Sequence, residues 1–273
     1  MVIGGATERF RLHRNGIKFP ELSYEELKTA SLGLIRVLLH PSLNTVIDFD
    51  HCLLWSWAGE ILLAGEVELF GPEAHESREL MEACIRCALA GSSLEERMGF
   101  QIHELCLHLP LVLVYLSFPL LEAIIKKAAR KYVKLTGEVL QDFEAPRRDR
   151  TIRQYRVGQL CSNINHLLFL LHKEVADSDL KDSLDQVRQH LAILAPNTDP
   201  FDLIADWRNP SLHGEATFPT IGGTILTVAL LIALNGIRAE YARHRDQAWE
   251  RVCWEIKNSR TGVPRSPWSF YPP

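Results

Sequence analysis

Two apolar stretches, residues 105–121 and 221–237, constrain this chain more than anything else in it. Each sits at or below the shortest length that crosses a bilayer, about 17 to 20 residues. The first is interrupted by His108, Pro110 and Pro119, the second by Gly222, Gly223, Thr224, Thr227 and Asn235. They read as buried core helices, which need other helices around them. No segment shows sustained alternation of Val, Ile and Thr closed by Gly/Asn hairpin turns, the pattern of a sheet protein. The expected fold class is therefore all-α.

The other segments supply those helices. Ser23-Tyr24-Glu25-Glu26 is a capping box, and Leu27, Ala30, Leu34, Val37 and Leu38 follow at helical spacing until Pro41. Residues 49–70 read as helical despite Gly59 and Gly65, and residues 72–89 as a clearer helix. Gly91-Ser92-Ser93 is a turn and a soft domain boundary, and Ser93-x-x-Glu96 is another capping box. Pro119 predicts a helix start, with Leu120, Ile124, Ala128, Tyr132 and Leu135 repeating along it. Gly137 and Pro146 bracket a loop, and residues 151–175 read as one long helix, arginines first and leucines later. A polar helix over 177–194, a turn over 196–200 and a long apolar helix over 220–243 complete the set. Residues 1–22 and the tail from 257 on look irregular. The expected core includes Leu121, Ile124, Leu160, Leu167, Leu171, Leu230 and Leu231. Three regions are expected: 1–93, N-terminal helices of unknown role; 94–250, the main helical domain; and 251–273, an irregular tail.

With 273 residues and 47% hydrophobic side chains, the chain can bury a large core. Its charge is unevenly placed. Residues 126–156 hold ten basic and four acidic side chains, whereas the whole chain carries −4. Such asymmetry suggests a polyanionic partner. Arg147, Arg148, Arg150, Arg153 and Arg156 form the densest part of it. On a helix start they oppose the helix dipole, which favours an anion-binding role, most simply on an RNA backbone. Six cysteines behind an N-terminus without an apolar signal core suggest free thiols and a cytoplasmic location. Cys84-x-x-Cys87 with His103, Cys106 and His108 has zinc-like spacing, but core packing is the stronger reading, and no metal is expected. Nucleophile-elbow, P-loop and dinucleotide-binding patterns are absent from the sequence.

The least scaffold-like stretch is residues 206–218, DWRNPSLHGEATF. Asp199-Pro200 predicts a helix start as N-cap and first-turn proline. Pro210 disfavours helical angles at Asn209, so this helix is expected to stop near Arg208. Asn209-Pro210 would then open a new turn, bringing Arg208 and His213 together around exposed N–H groups that attract anions. In a purely structural role, Arg208 would pair with Asp206 and backbone would satisfy His213.

Arg208-Asn209-Pro210-Ser211-Leu212-His213-Gly214 resembles the R-x4-6-H motif of HEPN domains, helical domains of prokaryotic toxins and RNA-processing proteins. The resemblance covers the architecture from about residue 109 to 245 and leaves the first hundred residues unmatched. It implies a HEPN-type bundle with additional N-terminal helices. It also implies a metal-independent endoribonuclease, a toxin or antiviral-defence nuclease acting as a homodimer without a cofactor. Arg208, Asn209 and His213 would be its catalytic residues and RNA its partner, with an antitoxin or regulator as a further one. The alternatives are a non-catalytic RNA-binding or scaffold module and, less well supported, a membrane-associated helical protein.

Overall fold

The computed structural model describes residues 19–40, 49–64, 69–70, 75–92, 109–212 and 219–259. Within them the fold is all-α apart from one small hairpin. In chain order the elements are α1 (Tyr24–Leu38), α2 (Phe49–Ala64), α3 (His75–Ser92), α4 (Leu109–Ala128), β1 (Phe143–Pro146) and β2 (Ile152–Tyr155). Then come α5 (Ile164–Leu170, extended by a π-helical turn Leu171–Val175), α6 (Ser178–Leu194), α7 (Pro200–Leu212), α8 (Pro219–Gly236) and α9 (Tyr241–Ser259).

The described part of the first apolar stretch, residues 109–121, lies in α4, and the second stretch forms most of α8; the two helices pack directly on one another. Their closeness has a steric basis. A Cβ at Gly222 would lie 2.9 Å from the Val114 backbone nitrogen, and one at Gly223 would lie 2.9 Å from Trp55 on α2. Around this pair, α3 packs on α4, α1 on α8, and α2 on α3, α8 and α9. The buried residues form one continuous core running from α1 to α9. Of the described helices only α4 is by itself long and apolar enough to cross a membrane, and half of its most apolar window is buried inside the molecule.

The Ser23 capping box forms: Ser23 Oγ accepts from the Glu26 amide, and Glu26 Oε2 accepts from the Ser23 amide at 2.8 Å. Asp177 caps α6 and Asp199 accepts from the Phe201 amide at 2.9 Å, so both helix starts lie where the sequence put them. Leu121, Ile124, Leu167, Leu171, Leu230 and Leu231 are buried.

Several expectations fail, among them the turn at Gly91-Ser92, where α3 continues to Ser92. Pro119 does not start a helix; it lies inside α4, which ends at Ala128. Its ring is exposed between the buried Phe118 and Leu120, so the ladder bond it removes is missing on the outer side, where that is least costly. Residues 151–163 are not helical, because residues 152–155 pair antiparallel with 143–146, Phe143 facing Tyr155. Leu160, expected in the core, follows that hairpin and is 65% exposed. The last long helix breaks after Gly236 and turns by 70° into α9. Residues 251–259, expected in the irregular tail, are helical and complete α9; the predicted arm before residue 19, the Ser93 capping box and the tail beyond 259 lie outside the described residues.

Candidate nucleic-acid interface

Helix α7 carries the start of the motif. It begins at Pro200 and buries Phe201, Asp202, Ile204 and Ala205 against α5 and α6. It then runs unbroken to Leu212, so Asn209 and Pro210 belong to its last turn. The expected stop near Arg208 and the new helix start at Asn209 are therefore corrected. The pre-proline bias is local, and the helix continues through it. The correction matters electrostatically. A last turn presents unpaired carbonyls, not N–H groups, so this backbone does not form the anion-attracting start that was expected. His213 lies outside the described residues, as does the side chain of Asn209.

Arg208 is partly buried, and its Nη2 donates to Glu122 Oε2 on α4 at 3.1 Å. The other oxygen of Glu122 accepts from Lys126 Nζ at 2.8 Å, and Lys126 also donates to the Leu135 carbonyl. Glu122 thus holds two cations, and Arg208 does not pair with Asp206. Asp206 instead pairs with Arg148.

That pair joins α7 to the arginine group. Arg147 and Arg150 flank the hairpin turn: the Arg147 amide donates to the Thr151 carbonyl and the Arg150 amide to the Arg147 carbonyl. Arg150 adopts φ +65° in this turn. Arg153 lies on β2 with its guanidinium 4.6 Å from the Tyr155 ring centre. Arg156 follows β2 and is committed to Asp142 and Gln154, both at 2.7 Å. The five arginines therefore lie on a hairpin and its flanks, not at the start of a long helix, which corrects the dipole argument made for them. Arg147 and Arg153, with Ile152, Gln154, Gln159 and Leu160, line an open cleft of ≈ 770 Å³.

A buried polar network fastens this hairpin. The Tyr155 hydroxyl meets His166 Nδ1 at 2.7 Å, and Phe143 stacks on the Tyr155 ring with centroids 4.7 Å apart. Asn165 Nδ2 donates to Asp202 on α7, and Asn165 Oδ1 accepts from the His166 amide at 2.8 Å. Burial first, and then the positive charge of Arg153, hold the His166 imidazole below its ordinary pKa; the Asp202 carboxylate and, less strongly, a bond to the Pro146 carbonyl oppose this. A neutral ring that accepts from Tyr155 on one nitrogen and donates to Pro146 from the other fits these partners. His166 is 4% exposed with both nitrogens engaged, so it acts as a latch and not as a proton-transfer group open to substrate. Burial likewise pushes up the Tyr155 hydroxyl and the Cys161 thiol beside it.

Glu122 and this latch went unnoticed in the sequence. Both lie in segments that read as ordinary helix, and no local pattern distinguishes a carboxylate that will meet an arginine 86 residues away. Cys84 and Cys87 lie on α3, where burial raises both thiols. The other residues of the zinc-like set, His103, Cys106 and His108, lie outside the described residues. Among the described residues no cluster of three or more His, Cys, Asp or Glu could hold a metal ion.

No protein-family model, no curated protein and no solved structure matches this chain.

Proposed function

We propose that the protein is a metal-independent endoribonuclease of HEPN type, acting as a homodimer in the reducing cytoplasm. The observation that supports it best is the Arg148–Asp206 ion pair, which joins a five-arginine hairpin to the helix bearing Arg208 and Asn209. RNA would lie with its phosphates along Arg147, Arg148, Arg150, Arg153 and Arg156. His213 would take the 2′-OH proton, imidazole being the side chain suited to proton exchange near neutral pH. The 2′-oxygen would then attack the adjacent phosphorus as the 5′-oxygen leaves with a proton. The products would carry a 2′,3′-cyclic phosphate and a free 5′-OH. Arg208 would balance charge on the phosphoryl oxygens, and Asn209 would hydrogen-bond one of them or orient His213. One His213 supplies one acid–base group, whereas this reaction needs a base and an acid. A two-fold dimer would supply the second from its partner. A toxin or defence nuclease held by an antitoxin is the biological setting this reading suggests.

The test is incubation of purified protein with total RNA in EDTA. Cleavage is expected in EDTA, is expected to disappear in folded His213→Ala, and should leave cyclic phosphate ends. Mixing His213→Ala chains into wild type should lower activity faster than the wild-type fraction falls. A proportional decline would remove the shared site, and loss of cleavage in EDTA would remove the metal-free mechanism.

A second reading is a non-catalytic RNA-binding module. It is favoured by the Arg208–Glu122 pair, which engages the arginine with a carboxylate. RNA binding by wild type without any cleavage would select it.

A further inference from the structure

A second cleft, of ≈ 1130 Å³, opens where α4 and α8 end, and it shares no lining residue with the hairpin cleft. Its apolar lining includes Leu69, Val133, Ile232 and Ile237. Lys127, Arg130 and Lys131 also line it, as do Arg243 and His244 from α9. Most of its other charges are already answered. Lys126 pairs with Glu122, Lys134 with Glu138, and Arg243 with Glu240. Lys127 and Lys131 are different: neither forms an ion pair among the described residues. Lys127 is half-buried, its Nζ donates to the Leu69 carbonyl at 2.7 Å, and burial holds its amine below the ordinary lysine value. The Glu76 carboxylate opposes this only in part, so the ammonium remains partly removed from water.

The second observation is His244. It is 3% exposed, and its Nδ1 is a buried nitrogen without a hydrogen-bond partner. The nearest acid, Glu240, stands 4.0 Å from its other nitrogen. Buried polar atoms in folded proteins are nearly always satisfied, so this nitrogen on the cleft wall offers a hydrogen-bonding position that a bound molecule can fill.

We propose that this cleft binds a phosphate monoester carrying an apolar body. Glu174 and Glu240 also line the cleft but pair with Lys173 and Arg243; the two charges of Lys127 and Lys131 call for more than a carboxylate's single charge, and a phosphate monoester carries about −1.5 to −2 at neutral pH. The phosphate lies between Lys127 and Lys131, and the body covers Val133, Ile232 and Ile237. The cleft is of small-molecule size, and such pockets combine apolar walls with a few polar groups. Two sources share this chemistry, a nucleoside monophosphate and an alkyl or lipid phosphate. The proposal stands apart from RNA cleavage at His213.

The experiment is calorimetric titration of the full chain with AMP, hexyl phosphate and inorganic phosphate, repeated on Lys131→Gln and on Lys127→Gln/Lys131→Gln. At least one organic phosphate is expected to bind with Kd below about 1 mM, at least tenfold more tightly than inorganic phosphate. The double variant should lose at least tenfold in affinity with an unchanged far-UV spectrum. Lys131→Gln alone, at an exposed position, should lose part of that affinity without any risk to folding. Tighter binding of AMP assigns the nucleotide source, and tighter binding of hexyl phosphate the lipid source. Failure of both organic phosphates to saturate, equal binding of inorganic phosphate, or unchanged affinity in both variants overturns the proposal.

Discussion

His166, His190 and His244 share one physical condition: burial lowers the pKa of each imidazole. For such a group the unfolded chain takes up a proton before the folded chain does. Stability is then fully present above the unfolded value, about 6.5, and is lost as pH falls through it toward the folded value. Asp179 behaves differently. Its pKa is lowered by Lys28 and Tyr24 against the opposing effect of burial, so its contribution is lost only at more acid pH, below about 3.9. Thermal melts should therefore show Tm declining between pH 7.5 and 5.5. The decline should be shallower in His166→Gln, which cannot titrate. A Tm that stays level across this range would mean these histidines titrate alike in both states.

The hairpin is the element that sequence patterning concealed. Strand β2 alternates poorly, and only its last residue, Tyr155, is buried. Its position depends on partners elsewhere in the chain: Phe143 across the ladder, His166 below, and Asp206 on α7 beside Arg148. Arg147, Arg148, Arg150 and Arg156 are consequently exposed on a fixed platform, with Arg153 half-buried over Tyr155. Replacing Arg147, Arg148 and Arg150 together by Gln should weaken RNA binding. It should also flatten the salt dependence by about 0.7 log units of slope for each single-strand phosphate that the variant no longer neutralises. An unchanged slope would show that the hairpin does not touch the RNA backbone.

The fold as a whole depends on how closely α8 approaches its neighbours. Trp55 Nε1 donates to Thr227 Oγ1 at 2.9 Å across this interface, and that hydroxyl donates in turn to the Gly223 carbonyl. A methyl group at Gly222 would press on α4 backbone, which cannot rotate aside. Gly222→Ala should therefore destabilise the chain by about 1–3 kcal/mol, read as a lower midpoint in denaturant melts. At Gly236 the nearest atom to an added Cβ is the Leu69 side chain at 3.6 Å, an ordinary van der Waals distance, so Gly236→Ala should be nearly neutral. Equal effects at the two positions would show that close α4–α8 packing is not what the glycine provides.

Local chemistry along the chain was enough to set the helical class, the starts at Ser23, Asp177 and Asp199, and the burial of the second apolar stretch; the helix of the first is only half-buried. Caps and apolar periodicity act over a few residues, so they are legible without knowledge of the fold. Tertiary structure decided the rest. Pro119 and Pro210 carry a local bias against helix, yet α4 and α7 continue through both positions. The arginine-rich segment lacks a strand signal of its own, yet pairing with residues 143–146 makes it one. Arg208 could have met Asp206 two positions away; it meets Glu122 on α4, while Asp206 meets Arg148. Which opposite charges meet depends on where packed helices bring them, and that distance is not written in sequence spacing.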